Sequence, residues 1–142
     1  MRVPDPLAYL TGAWTLTRDL TDDGRTGTFT GTATFVPDAT GLAYAERGVL
    51  DLGHWTGDSY RHLHYAPASP GVLTVTFEDG RFFHDLDLRT GAWTAHHPCR
   101  ADAYEGRFTV LSEDEWRQEW LVRGPAKDQV IVSAFSRCSA RA

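Results

Sequence analysis

Short stretches in which apolar and polar residues alternate run along almost the whole chain. The clearest is TFTGTATF at residues 28–35, where threonine occupies every second position. A period of two is typical of a β-strand that buries one face. Alternation or short apolar runs predict strands over residues 14–18, 28–35, 42–50, 59–65, 72–78, 81–88, 92–99, 104–111, 116–123 and 129–137.

Turn-forming residues separate these stretches, as at Asp79-Gly80 and Gly124-Pro125. Short sequential connections favour an up-and-down antiparallel β-barrel, which avoids exposed sheet edges by closing on itself. Residues 4–10 carry two prolines near their start and predict a short helical turn. No linker-like stretch interrupts the 142 residues. We therefore expect an all-β protein with a single barrel domain of about ten strands over residues 1–142.

Composition and charge argue against nucleic acid and membrane as partners. The chain has 14 Lys and Arg against 19 Asp and Glu, a formal net charge of −5, and no basic run. This argues against a nucleic-acid partner. No apolar segment reaches the roughly 20 residues that cross a bilayer, and the N-terminus lacks the order of a signal peptide. We expect a cytoplasmic monomer or homodimer that binds neither nucleic acid nor membrane.

Residues 82–99, FFHDLDLRTGAWTAHHPC, are the most informative stretch. If Thr90-Gly91 is the two-residue turn of a hairpin, His84 lies opposite His97 and Phe82 opposite Cys99. This register places two imidazoles and a thiol on the inward face. One interpretation is that the histidines bond each other or a carbonyl group in a filled core. The other is that they form a ligand or catalytic site within one cavity, since buried polar atoms need partners.

The same three side chains are competent zinc or copper ligands. A fourth ligand would have to come from Asp102 or Glu46. Because no CxxC or HExxH spacing accompanies the set, we predict no metal and no cofactor. Cys99 and Cys138 lie on strands that we do not expect to be neighbours, so we predict thiols rather than a disulfide.

Glu46 shares the inward face of residues 42–50 with Tyr44. A buried carboxylate needs a partner, and Arg18, Arg61 or Arg137 carries the opposite charge. The pair either closes one end of the barrel or takes part in binding. On a late strand, two tryptophans share one face and either fill the core or line a flat ligand's pocket. The candidate acid–base residues are His84, His97, Cys99, Tyr104 and Glu46; the candidate ligand-binding residues are Tyr44, Arg61, Phe82, Asp102, Trp116, Trp120, Lys127 and Arg137.

Gly12-x-Trp14 near the start and Arg137 near the end resemble the signature of lipocalin-like (calycin) barrels. In that superfamily an arginine packs across the tryptophan. Ten strands would be similar to the fatty-acid-binding and nitrobindin branches. Nitrobindins bind haem through a histidine in the late strands. This chain has no histidine after His97, so we expect no haem.

A closer resemblance covers nearly the whole chain. The chain contains the motifs Gly12-x-Trp14, Tyr44-x-Glu46, Asp79-Gly80-Arg81, Phe83-His84, His97-x-Cys99, Asp102-x-Tyr104 and Gly124-Pro125-x-Lys127-Asp128. This series of motifs resembles a family of small bacterial proteins known only as a domain of unknown function. The resemblance implies a calycin-like barrel and draws attention to these positions, but it brings no established reaction.

Three functions are compatible with these features. The first is a barrel that binds a small, partly apolar metabolite in its interior. The second is a cofactor-independent isomerase, cyclase or dehydratase that uses His84 and His97 as acid–base groups. The third is a partner-binding scaffold, which predicts a filled interior and an exposed apolar patch.

Overall fold

A computed structural model describes residues 1–99 and 101–138, without the side chains of Pro98 and Cys99. All ten predicted strands are present, and the predicted helical turn is a short helix. The elements are α1 (Pro6–Leu10), β1 (Gly12–Asp22), β2 (Arg25–Asp38), β3 (Gly41–Asp51), β4 (Thr56–Ser69), β5 (Val72–Phe77), β6 (Phe82–Asp87), β7 (Ala92–Cys99), β8 (Asp102–Ser112), β9 (Glu115–Gly124) and β10 (Lys127–Arg137).

The strands form one antiparallel sheet in the order β6-β5-β4-β3-β2-β1-β10-β9-β8-β7. The first and last strands pair with each other, so the sheet curls into the predicted up-and-down barrel. β6 and β7 are its two edges, and we call the line between them the seam. Side chains bridge the seam: the Trp93 indole Nε1 donates to the Asp85 carbonyl at 2.7 Å. The barrel is therefore nearly closed.

The predicted β6–β7 hairpin pairing, with His84 opposite His97 and Phe82 opposite Cys99, is wrong. β7 pairs only with β8 among the described strands. The N-terminal segment lies at the end of the seam near α1. The Val3 amide donates to the Leu88 carbonyl, and the Met1 amino group donates to the Val110 carbonyl. This segment therefore occupies space between the end of β6 and β8.

A β-bulge changes which residues of β6 face inward. Val75 pairs with His84, but Thr76 pairs with Phe82, so Phe83 is the extra residue. As a result Phe83 and His84 are both buried, while Phe82 is 53% exposed. The expectation that Phe82 faces the interior is wrong, because a bulge breaks the period of two from which it came.

The barrel end next to α1 is filled by aromatic side chains, and we call it the closed end. Trp14 is fully buried and donates its indole N–H to the Leu10 carbonyl at 2.9 Å. The Arg137 guanidinium lies 4.2 Å from the centre of the Trp14 ring and donates to the Tyr9 carbonyl at 3.0 Å. The predicted Trp14–Arg137 contact is confirmed. Trp116 packs edge-on against Trp14, so it belongs to this core.

We expect Arg137→Met to lower the free energy of unfolding by about 1–3 kcal/mol, because it removes a cation–π contact and leaves backbone carbonyls without a charged donor. Urea titration followed by tryptophan fluorescence measures the loss. Arg117→Met, at an exposed position on β9, is the matched control and should change stability little. Equal effects of the two substitutions would contradict the structural role of Arg137.

Candidate functional site

A cavity of about 240 Å³ lies inside the barrel, between the closed end and the turns at the opposite end. We call it the interior cavity. A larger hollow of about 470 Å³ at that opposite end shares Leu20, Gln129 and Ile131 with it, which marks the barrel mouth and a route inward. The interior cavity is lined by Arg18, Leu20, Arg61, Phe83, Tyr104, Gln118, Trp120, Val122, Gln129, Ile131 and Ser133.

A buried ion pair stands on one side of the interior cavity. Arg18 Nη1 and Nη2 donate to the two Glu46 carboxylate oxygens at 2.6 Å and 3.0 Å. Arg18 Nε donates to the Ser133 hydroxyl at 2.8 Å, and the Tyr44 hydroxyl donates to Glu46 Oε1 at 2.7 Å. Of the three arginines proposed as partners for Glu46, Arg18 makes the close pair. Arg137 is held at the closed end instead.

Burial and pairing act in opposite directions on these groups. Burial by itself raises the pKa of Glu46, but the hydrogen bonds from Arg18 and the charges of Arg61 and Arg18 hold it below its ordinary value. Burial, reinforced by the Glu46 charge, raises the pKa of Tyr44 well above its ordinary value. At neutral pH Glu46 is a carboxylate and Tyr44 a neutral donor.

Arg61 reaches the same carboxylate from β4, where it is the strand partner of Glu46. Its Nη2 lies 3.8 Å from Glu46 Oε1, beyond hydrogen-bond range, and its side chain is 45% exposed. Arg61 therefore lies between the buried ion pair and the more open part of the barrel, with most of its donors free for another group.

The opposite wall is aromatic. Phe83 and Trp120 stack with their ring centres 5.0 Å apart. Gly106 is the strand partner of Trp120, and a Cβ at Gly106 would come within 2.7 Å of the indole. The glycine inside β8 therefore gives Trp120 room to lie against the sheet, and the predicted location of Trp120 in the interior is confirmed.

His84 is buried behind this wall rather than lining the cavity. Its ring contacts Phe83, Phe108 and Trp120, and its Nδ1 lies 2.8 Å from the Asp85 carbonyl. A carbonyl only accepts, so Nδ1 carries the proton. Desolvation lowers the pKa of His84 to about 4, although the Asp85 carbonyl opposes this shift. The imidazole is therefore neutral at neutral pH.

His97 is half-buried on β7, with its ring centre 5.5 Å from that of Phe83 and 5.9 Å from that of Tyr104. Tyr104 lines the cavity and accepts a hydrogen bond from the Lys127 ammonium at 3.2 Å. Lys127 also lies 3.5 Å from the Asp102 carboxylate. These residues form a polar group around Tyr104, on β7, β8 and β10.

The structure brings only part of the predicted set together. Glu46, Tyr44, Arg61, Trp120 and Tyr104 lie in or beside the interior cavity, and the two histidines lie against the ring of Phe83. The Cys99 side chain lies outside the described residues. Among the side chains that the structure describes, no group of three or more His, Cys, Asp or Glu residues is placed to hold a metal ion.

The sequence interpretation missed Phe83, Gln118 and Ser133 as cavity residues. Ser133 pairs with Arg18 on one side and with Gln118 on the other, so the three form one row across adjacent strands. The alternation along residues 116–122 and 129–137 places Gln118 and Ser133 inward. Only the pairing of β1 with β10 brings Gln118 and Ser133 next to Arg18.

We expect Glu46→Gln to destabilise the protein by about 3–5 kcal/mol at pH 7, because it leaves the buried Arg18 charge unpaired. The folded pKa of Glu46 lies below the unfolded value, so its contribution is complete above about pH 4.3 and is lost as the pH falls through the folded pKa. Urea titrations from pH 7 to pH 3 should show a smaller acid loss in Glu46→Gln than in Glu113→Gln, an exposed control. Equal losses would contradict this assignment.

We expect the His84 imidazole to stay neutral, with its proton on Nδ1, well below pH 6. The folded pKa of about 4 is below the unfolded value of about 6.5. The contribution of His84 to the free energy of unfolding is therefore complete above the unfolded pKa and is lost as the pH falls through the folded pKa. Long-range ¹H–¹⁵N NMR spectra, assigned with His84→Phe, report the tautomer and the titration. A midpoint between pH 6 and 7 would refute the burial argument.

In the part of the chain that the structure describes, no helix is long and apolar enough to cross a membrane. An S-type phycobiliprotein lyase from Guillardia theta has a similar structure, with a TM-score of 0.69 and 9% identity over 99% of this chain and 95% of that one. A redesigned β-barrel bound to DFHBI has a TM-score of 0.49 and 15% identity, over 92% and 97% of the two chains. At such identities the similarity to the lyase concerns the fold.

The search of curated proteins finds no match to this chain. A family described as a family of unknown function (DUF6314) matches residues 10–137. This range begins at Leu10, the last residue of α1, and ends at Arg137, the last residue of β10. It therefore contains every strand of the barrel. The chain belongs to this family of unknown function.

Proposed function

We propose that the barrel binds a small, partly apolar molecule in its interior cavity. The observation that carries the proposal is one space with two unlike walls. An aromatic and aliphatic wall, formed by Phe83, Trp120 and Ile131, faces Arg61 on β4, and the amide of Gln118 lies beside Trp120 on the same strand. Ligand sites are typically apolar enclosures with a few polar groups that orient the ligand.

The size of the cavity limits the ligand. About 240 Å³ is smaller than the roughly 300–1,000 Å³ of pockets for drug-sized molecules. A single aromatic ring with a short polar substituent matches this volume better than a lipid or a tetrapyrrole. The larger hollow at the mouth gives such a molecule access without opening the sheet.

Individual roles follow from position. Trp120 and Phe83 offer ring faces to the apolar part of the ligand. Tyr104, Glu46 and the two histidines act around this site, with His84 supporting Phe83 from behind as a neutral imidazole. We also propose that Cys99 takes part in this site. The same proposal includes a cytoplasmic location and a monomer or homodimer as the form that binds the ligand.

A second candidate, a cofactor-independent isomerase, cyclase or dehydratase, is favoured by one observation. The Nδ1 of His84 is committed to the Asp85 carbonyl at 2.8 Å, which leaves Nε2 of the neutral ring as a proton acceptor. For an enzyme, His84→Phe and His97→Phe should abolish turnover of a metabolite extract, followed by mass spectrometry, while ligand binding persists. Undiminished turnover in both variants would exclude the histidines as acid–base groups.

We expect small aromatic amides, with cinnamamide and indole-3-acetamide as probes, to shift the NMR signals of cavity methyl groups such as those of Ile131 and Val122. Ile131→Phe adds volume inside the cavity and should weaken this binding by about tenfold or more. Val132→Phe, on the opposite face of the same strand, is the matched control and should bind as the parent protein does.

Shifts confined to the outer surface, or equal binding by the two phenylalanine variants, would refute an interior site. Thermal unfolding of both variants confirms that each is folded before its affinity is compared. A native mass spectrum of the protein as purified then shows whether a molecule of this size accompanies the chain.

A further inference from the structure

We infer that the ligand carries one carboxylate, and that Arg61 binds it at the edge of the interior cavity. This inference rests on the proposed function and names the class of ligand. The inference follows from the balance of charges and hydrogen bonds around Glu46.

Glu46 has its acceptors engaged. Oε2 accepts from Arg18, and Oε1 accepts from Arg18 and from the Tyr44 hydroxyl, at 2.6–3.0 Å. The side chain is 4% exposed, so no space remains for a further donor at short range. Arg61 therefore stays at 3.8 Å and contributes through its charge alone.

Arg18 is also committed. Its Nε, Nη1 and Nη2 all donate to Ser133 or Glu46, and its side chain is 12% exposed. Arg18 and Glu46 thus neutralise each other. The charge of Arg61 remains in excess along this wall.

Two acids near Arg61 contact other side chains. Arg61 also lines a hollow on the outside of the barrel, together with Glu78 and Asp79. The Glu78 side chain is 76% exposed and lies 3.3 Å from the His62 ring, and Asp79 accepts from Arg81 at 2.7 Å. In the described part of the chain, Arg61 makes no hydrogen bond of its own, and its fork of five donors is open to a ligand.

A carboxylate matches this arrangement in charge and in shape. One excess positive charge balances one negative charge, whereas a phosphate monoester carries up to two at neutral pH. The planar guanidinium donates two parallel hydrogen bonds to a carboxylate. Two further donors line the same cavity: the amide of Gln118, and the hydroxyl of Ser133, which accepts from Arg18 and keeps its own proton to donate.

The test compares cinnamate with cinnamamide, two probes that share a ring and chain and differ in charge. Calorimetry and NMR shifts of the cavity methyl groups measure binding to the full chain. We expect cinnamate to bind at least about tenfold more tightly than cinnamamide, since hydrogen bonds to charged groups exceed neutral ones by that order. Arg61→Met should abolish this preference, so that the variant binds the two probes with similar affinity. Arg47→Met, which removes the same charge from the outer face of β3, should preserve it.

Each outcome separates the two proposals. Equal binding of both probes inside the cavity of the parent protein overturns the carboxylate assignment and leaves the proposed function standing. A preference that survives in Arg61→Met overturns the role of Arg61. Tighter binding of phenyl phosphate than of benzoate overturns the carboxylate class. Absence of cavity shifts with every probe overturns the interior binding site itself, and the carboxylate inference with it.

Discussion

Burial of the Glu46 carboxylate inside the barrel imposes a requirement for hydrogen bonds and opposite charge that three strands meet together. An unpaired buried charge is costly, and here Arg18 from β1, Tyr44 from β3 and, at longer range, Arg61 from β4 compensate it. The ion pair links β1 to β3 across the barrel interior. It also divides the interior: aromatic side chains fill the space towards Trp14, and the cavity lies towards the mouth.

The second constraint is the seam between β6 and β7. Unpaired strand edges are liable to join other chains, and this barrel covers them with its own side chains. Trp93 donates across the seam to the Asp85 carbonyl, and the ring of Phe83 packs against His97. The same contacts build the aromatic wall of the cavity. Closure of the fold and construction of the site therefore use one set of side chains.

His84 supports both the closure of the barrel and the aromatic wall of the cavity. His84 holds the bulged end of β6 through its bond to the Asp85 carbonyl, and its neutral ring packs like an aromatic side chain against Phe108 and Trp120. The polar side chains of the cavity include instead Arg18, Arg61 and Gln118. The cavity therefore combines neutral aromatic and cationic side chains, which is the combination on which the proposed binding of a small molecule rests.

Much of the architecture could be predicted, because local patterns report it directly. A period of two identifies strands, and short connections identify sequential pairing. The Gly-x-Trp segment and Arg137 indicated the closed end, and alternation placed Glu46 and Trp120 inward. Candidate residues were less predictable. Phe82 was chosen in place of Phe83, since a bulge adds one residue without any signal in the alternation.

The order of residues along the chain predicts the all-β class and the ten strands, and the inward position of Glu46 predicts a cationic partner. These properties depend on residues close together in the chain or on the chemistry of a single side chain. Three further properties appear only in the folded barrel: β6 and β7 separate, Arg18 rather than Arg137 neutralises Glu46, and Arg61 is left in excess. Each of these depends on distances between strands far apart in sequence, which curvature, bulges and the N-terminal segment set only when the sheet has closed.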